Sequence, residues 1–561
     1  MKSVRSILWL STLFFSLCRI NSAQAQTKQW QWVNADQCSD PLTYVGNTNW
    51  TSTDASGNVF AGGTFNADSM CLDGFTIHTR LQEGGGGFLA KFNPSGQLLW
   101  LKNIGPRTNY FAMDASGNVY ASGVFRDTVS FGPFLLKQYS NSGVCWNLFL
   151  VKYDPSGHVL WATCPGGYSR AGSYTTSPYS MSMDASANIY IAGSFASDSL
   201  FFGSTKIAST GVASSTFLVK YNSHGQVSWA QRTNDVVINS VGQMIANRSG
   251  EVYIVTPYLL VAKYSPSGKQ RWQKNLYKRN INFDYVKLTA LAVDQNEHVY
   301  IAGAIDSIEV HVGSFLLIDS MAPSSWGPFI SKMDSAGNLL WANTPAGAYS
   351  GTFRINALAT SPNADLYMAG NFKNFARFKS FTLGSTITNQ YNLESNYAYV
   401  VKVNPLNGDP VWGHSAYGGG DAWTGLDDLQ AACLFIDAAE NVFVGGNLIT
   451  GPIAFDAIEI DGNGAYIAKL NIGAPAAPVS GTLIAFPNPS SGLFSMLYNL
   501  AGSPNSTALL KITNTAGLCV YQSVLPLNGI ININLSAMAK GLYFLNMITD
   551  KVQVSRKIVI Q

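Results

Sequence analysis

Asp114-Ala-Ser-Gly-Asn-Val-Tyr-Ala-Ser-Gly-Val-Phe125 leads, after an interval, to Asn147-Leu-Phe-Leu-Val-Lys-Tyr153, a Pro-Ser-Gly turn and Trp161. The order is a polar turn, an apolar strand, a strand carrying Lys, and a strand carrying Trp. It recurs along the 561-residue chain. The turn returns at Asp54, Asp184, Asn247, Asp294, Ser361-Pro-Asn-Ala-Asp365 and Asp437. The lysine is Lys91, Lys152, Lys220, Lys263, Lys332, Lys402 and Lys469, and the tryptophan is Trp100, Trp161, Trp229, Trp272, Trp341 and Trp412. No tryptophan follows Lys469, but Gln29-Trp-Gln-Trp-Val33 stands near the amino terminus with nothing before it to complete. A repeat that starts with its last strand and ends with its third describes a closed ring written linearly, with Trp32 expected beside Lys469.

Each copy predicts a four-stranded antiparallel sheet. The Asp turns join strands one and two, the Asp side chain accepting backbone amides ahead of it. Strand two, as in Ile189-Tyr-Ile-Ala-Gly193, is apolar on both faces, which suits a sheet covered on both sides, and its Ala-Gly end is expected to let sheets approach closely. Only 16 residues separate Asn247 from Lys263, against 38 from Asp114 to Lys152. The extra residues are therefore an excursion between strands two and three. Glu83-Gly-Gly-Gly-Gly87 lies there and is expected to be a flexible loop, since no helix follows to make it a phosphate cradle.

Composition narrows the function. Charged residues make up 12% of the chain and the formal net charge is +3, too little to indicate nucleic acid. Lys2 and Arg5, the apolar run Ile7 to Leu17 and Ala23-Gln-Ala25 predict an export signal over residues 1–25. The run is too short for a transmembrane anchor, and no later stretch is long enough. Export permits disulfides among Cys38, Cys71, Cys145, Cys164, Cys433 and Cys519. Extending the Asn147–Trp161 hairpin outward sets Cys145 nearly opposite Cys164, so a cross-strand bridge is expected there. Cys38 and Cys71 are a second pair, sharing the first repeat.

The phrases Asp-x-x-Gly-Asn-Val-Tyr-x-Ala-Gly-x-Phe and Phe-Leu-Val-Lys-Tyr-x-Pro-x-Gly-x-x-x-Trp resemble the bacterial seven-bladed β-propeller repeat family over roughly residues 27–472. The resemblance implies an all-β propeller at 26–472 and is nearly silent about chemistry. A Pro-rich linker, 473–482, precedes a tail at 483–561 whose short strands suggest a small Ig-like β-sandwich. In that tail Pro487, Asn488 and Pro489, then Gly492, Gly541, Tyr543 and Lys557, resemble the type A sorting domain of the type IX secretion system. That resemblance implies the type IX machinery as a partner, with release or surface attachment in a Gram-negative Bacteroidetes-type bacterium.

A catalytic constellation is not legible. His158, His224 and His298 stand in or beside turns, and His78, His311 and His414 are isolated. No nucleophile elbow, zinc motif or phosphate loop occurs, and the Asp turns lack the further carboxylates of a calcium loop. No cofactor or metal is expected. The longest connection between repeats holds Asp421, Trp423, Asp427 and Asp428, a stacking aromatic beside carboxylates. Tyr168, Arg170, Tyr174 and Tyr349 lie on equivalent connections. The expectation is a non-enzymatic scaffold, displayed at the surface, that binds protein or glycan in adhesion or capture. The alternative is a secreted hydrolase or lyase acting on polysaccharide or peptide.

Overall fold

The computed structural model describes residues 28–37, 46–79, 85–137, 146–168, 175–209, 215–233, 242–257, 259–277, 286–306, 309–318, 326–346, 348–384, 396–418, 429–448, 453–456, 458–460, 464–472, 482–486, 490, 492–499, 507–515, 517–526, 528–548 and 553–560. These residues are all-β, in small antiparallel sheets. Residues 29–471 form one compact unit and 472–561 fall in a second.

The larger unit contains seven sheets built on a four-stranded plan, among the described residues. Sheet 1 is Gly46–Thr53, Val59–Phe65, Gly86–Phe92 and Leu98–Asn103; sheet 2 is Thr108–Met113, Val119–Phe125, Asn147–Tyr153 and Val159–Thr163. Sheet 3 is Thr176–Met183, Ile189–Phe195, Ser215–Tyr221 and Val227–Arg232; sheet 4 is Gln243–Ala246, Val252–Val255, Leu260–Tyr264 and Gln270–Asn275. Sheet 5 is Val286–Val293, Val299–Ile305, Gly327–Met333 and Leu339–Asn343; sheet 6 is Ala348–Thr360, Leu366–Arg377, Asn396–Val403 and Pro410–Gly418, with Ile453–Phe455 and Ile458–Ile460 added at its last strand. Sheet 7 joins Leu429–Ile436, Val442–Leu448 and Gly464–Asn471 to Gln29–Ala35 from the amino-terminal end.

The strand Gln29–Ala35 pairs antiparallel with Gly464–Asn471, and Trp32 stands opposite Lys469. That register repeats the Lys–Trp pairs of the other six sheets, from Lys91 opposite Trp100 to Lys402 opposite Trp412. The first strand of each sheet touches the first strand of the next, and the series returns from sheet 7 to sheet 1. Second strands are the buried layer: every residue of Val59–Phe65, Ile189–Phe195 and Val442–Leu448 is buried. Covered on both faces, such a strand keeps apolar side chains throughout.

The excursions between strands two and three are hairpins, such as Thr128–Phe131 with Phe134–Lys137 and Glu309–Val312 with Phe315–Ile318. In sheet 4 the connection shrinks to a tight turn in which the Thr256 amide donates to the Leu260 carbonyl at 3.0 Å. The glycine-rich segment at Glu83 to Gly87 is less of a loop than expected. Gly85 takes φ +111°, and Gly86 and Gly87 already belong to the third strand; Glu83 and Gly84 lie outside the described residues.

The cysteine expectations need one correction. Cys164 is a free, half-buried thiol packed on the core between sheets 1 and 2, and burial pushes it up to about 11. Leu150 pairs with Thr163, so the ladder carries Phe149, not Cys145, opposite Cys164. Cys145 itself lies outside the described residues. Cys71, by contrast, is disulfide-bonded.

The smaller unit holds two antiparallel sheets. One is Thr482–Phe486, Leu493–Asn499 and Asn528–Asn534; the other orders Cys519–Pro526, Thr507–Asn514, Gly541–Ile548 and Gln553–Ile560. Alternate residues of both, Phe494 and Met496 on one and Leu510, Ile512, Leu545 and Ile558 on the other, share one core.

Candidate functional site

The recurrent Asp, Lys and Trp make a clasp between sheets. Asp54 Oδ1 accepts the amides of Ser56 and Asn58, both at 2.9 Å, while Oδ2 accepts Asn58 Nδ2 and lies 3.3 Å from Lys91 Nζ. Equivalent pairs are Lys152–Asp114 at 3.5 Å, Lys220–Asp184 at 3.8 Å and Lys402–Asp365 at 2.6 Å. Each ammonium also sits over an aromatic ring of strand two, as Lys152 does over Tyr120 at 4.7 Å. The tryptophan then crosses to the next sheet. Trp161 Nε1 donates to the Ser223 carbonyl at 3.3 Å, Trp229 to Pro266 at 3.0 Å, Trp272 to Ser335 at 3.2 Å and Trp341 to Pro405 at 3.2 Å. Trp32 does the same from sheet 7 to Pro94 of sheet 1 at 3.3 Å. The glycine of each receiving turn lies flat on the indole: a Cβ on Gly96 would stand 2.5 Å from Trp32, and one on Gly408 2.6 Å from Trp341.

This network carries an acid sensitivity. Burial alone raises the Asp54 carboxyl, but the Asn58 hydrogen bonds and Lys91 outweigh it and hold the pKa below the usual value. Asp154 and Asp334, in the third-to-fourth turns, are lowered in the same way by hydrogen bonds, chiefly from His158 and Asn338, against the opposing effect of burial. A depressed folded pKa means stability that is fully present above the ordinary carboxylate pKa and is lost as pH falls through the folded value. The melting temperature is therefore expected to drop below about pH 4. It should drop less steeply in a triple Asp54→Asn, Asp154→Asn, Asp334→Asn variant. An identical acid limb in that variant would place the sensitivity elsewhere.

The other ends of the strands show a different pattern. In six sheets the first strand carries a bulge at one register: between Thr48 and Trp50, Thr108 and Tyr110, Pro178 and Ser180, Leu288 and Ala290, Ile355 and Ala357, and Ala431 and Cys433. The residues just before the bulges are Asn47, Arg107, Ser177, Lys287, Arg354 and Gln430. Arg107, Lys287 and Arg354 are exposed, and the set contains no carboxylate. Just past the bulges of sheets 1 and 2, Trp50 and Tyr110 are half-buried, as is Tyr179 within the bulge of sheet 3. Trp50 stacks on Phe111 at 5.6 Å, and burial together with nearby Tyr179 pushes the Tyr110 phenol up to about 12.

The residues singled out from sequence fare unevenly. Asp421, Trp423, Asp427, Asp428, Arg170 and Tyr174 lie outside the described residues. Tyr168 ends a short strand paired with Ser199, and Tyr349 pairs with Ala376. His414 is not isolated: its Nε2 meets the Asp456 carboxylate at 3.0 Å, that carboxylate accepts the Trp30 amide at 2.9 Å, and the Trp30 ring lies 5.9 Å from the imidazole. His298 bonds Asp294 at 3.0 Å, taking the place that Asn58 has beside Asp54. In the tail, Pro487, Asn488 and Pro489 are outside the described residues, whereas Gly492 is buried, Tyr543 is buried with its hydroxyl donating to Ala539 at 2.6 Å, Gly541 opens its strand and Lys557 is exposed. No group of three or more His, Cys, Asp or Glu suited to a metal occurs among the described residues. No helix there is long and apolar enough to cross a membrane.

Comparison with known proteins bears mainly on the tail. Residues 484–561 match the family described as Secretion system C-terminal sorting domain. The chain thus ends in a type IX sorting domain, which implies secretion and a place outside the cell or on its surface in a Bacteroidetes-type bacterium. Over 455 residues it is 21% identical to an uncharacterized WD repeat-containing protein of Acanthamoeba polyphaga mimivirus, covering 66% of this chain and 32% of that protein. The chain therefore spans about a third of the length of that curated relative. A crystal structure of a protein of unknown function from Bacteroides caccae is similar at a TM-score of 0.32 and 12% identity, over 58% of this chain and 89% of that one, which carries no argument.

Proposed function

We propose that the chain is an exported seven-bladed β-propeller, residues 26–472, that acts as a non-enzymatic binding scaffold for glycan or protein in adhesion or capture. In this reading residues 1–25 are the signal peptide, 473–482 a linker and 483–561 an Ig-like sorting sandwich. The circuit of seven sheets closed by Gln29–Ala35 supports the propeller, as does the weak likeness to a WD-repeat protein. The observation that carries the binding role is where the repeat's polar groups go. The Asp and Lys of the recurrent phrase are spent on holding turns and joining sheets. Asp421, Trp423, Asp427 and Asp428 of the 419–428 connection, together with Tyr168 and Arg170, remain the proposed contact residues.

Glycan and peptide arrays on the purified protein, with turnover of every ligand monitored, test this reading. Binding without turnover is expected. Hydrolysis abolished by Asp421→Asn or Asp427→Asn would establish the alternative, a secreted hydrolase or lyase.

The partner of Cys71 in its disulfide is proposed to be Cys38. Gln37, its neighbour in sequence, donates its amide to the Cys71 carbonyl at 3.0 Å. Non-reducing peptide mapping should recover Cys38 linked to Cys71 and leave Cys164 and Cys433 alkylated only after unfolding. Reduction should cost about 4 kcal/mol, the entropy of a loop of that size. A Cys71 peptide linked to Cys145 would refute the pairing.

A further inference from the structure

We propose that the mouth formed where the seven first strands begin binds an anionic glycan, through carboxylate or sulfate groups on its sugars. The inference rests on the circular arrangement and the binding role just proposed, and adds the chemistry and place of the ligand. The first strands touch one another in an unbroken circuit, so equal register positions stand at one level of the opening. At the level just before the bulge, Arg107, Lys287 and Arg354 are exposed, and no ion pair or hydrogen bond engages the charged group of any of them among the described residues. The lysines of the clasp, in contrast, are held by carboxylates, ring faces or carbonyls. Three unspent cations at one level, with no carboxylate among the six described residues there, leave a positive field for a ligand to neutralise.

At or just beyond the bulges, three of the first strands also carry aromatic side chains. Trp50, Tyr110 and Tyr179 stand half-buried on sheets 1, 2 and 3, whereas Lys287 and Arg354 occupy the adjacent sheets 5 and 6. Flat aromatic faces take the C–H side of a pyranose ring, and an arginine fork takes a carboxylate or sulfate in a paired hydrogen bond. A chain with one charge per sugar or per few sugars meets both demands. A nucleic acid would require a continuous basic tract, and the neighbouring positions at this level are Asn47, Ser177 and Gln430.

The test titrates the whole purified protein with polygalacturonate, which carries carboxylate only, with carrageenan, which carries sulfate only, and with neutral dextran. At least one anionic polymer should bind, in a salt-dependent way, and dextran should not. A Lys287→Gln, Arg354→Gln double variant should bind at least about tenfold more weakly with unchanged melting. A control double variant, Arg248→Gln with Lys269→Gln, changes exposed cations on turns of sheet 4 and should bind as the parent does. Which anion is preferred separates carboxylate from sulfate as the recognised group. The inference is overturned if neither anionic polymer binds, or if the Lys287/Arg354 variant binds undiminished. Binding of dextran alone would remove the anionic site and leave the wider scaffold role standing, whereas turnover of a polymer would remove that role.

Discussion

A chain lacking residues 28–34 is expected to aggregate and to melt well below the intact protein. The deleted strand carries Trp30, 3% exposed, whose ring meets Phe455 edge-on at 5.0 Å and His414 at 5.9 Å. Burial of such a side chain is worth about 3 kcal/mol. The deletion also removes the ladder to Gly464–Asn471 and the Trp32 indole bond to Pro94. What remains is an eight-residue strand, Gly464–Asn471, with one edge unpaired and most of its side chains buried, a template for pairing with other chains. Sedimentation and thermal melting check this directly. A monomer with unchanged melting would mean that sheet 7 does not need its borrowed strand.

The second large effect is expected from Gly446→Ala. In the bulged sheets the glycine opposite the bulge faces a carbonyl oxygen: a Cβ on Gly446 would stand 1.8 Å from the Gln430 oxygen, on Gly370 1.9 Å from that of Arg354, and on Gly63 1.9 Å from that of Asn47. The obstacle is backbone, so it cannot rotate away. Either the bulge is lost, which flips the register of the first strand, or the sheet separates. A loss of at least about 3 kcal/mol is expected in urea unfolding. Gly74→Ala is the comparison. Its φ is +80° but nothing lies within 4 Å of a new Cβ, so about 1 kcal/mol is expected from backbone strain alone. Equal losses in the two variants would show that the carbonyl contact is not what demands glycine.

These glycines also show where sequence reasoning stopped. The Ala-Gly ending of strand two was legible as a place of close approach, and Gly62 does face Phe111 of the next sheet, where a Cβ would stand 2.7 Å from the ring. The stronger constraint comes from a bulge inside the same sheet, and a bulge has no residue signature of its own. The sheets, the Asp turns and the opposition of Trp32 to Lys469 were all legible, because each rests on a recurrent spacing. The work of the lysine was not, since a recurrent spacing does not say which carboxylate or carbonyl it will meet. Cys164 was misplaced because the turn after Tyr153 fixes the ladder four residues away from the register assumed. The cationic level is not legible in the sequence because Arg107, Lys287 and Arg354 are far apart along the chain and share only a register.

The junction of Gln29 with Asn471 sets an order of events on folding. The first strand of the larger unit is the last to find its partner, more than four hundred residues later. Six sheets can form progressively as the chain emerges, but the seventh waits for synthesis and passage of nearly the whole unit. Contacts so distant along the chain make the final step slow, and until it occurs both unpaired edges are exposed. The last sheet can therefore be completed only once both ends of the unit are present.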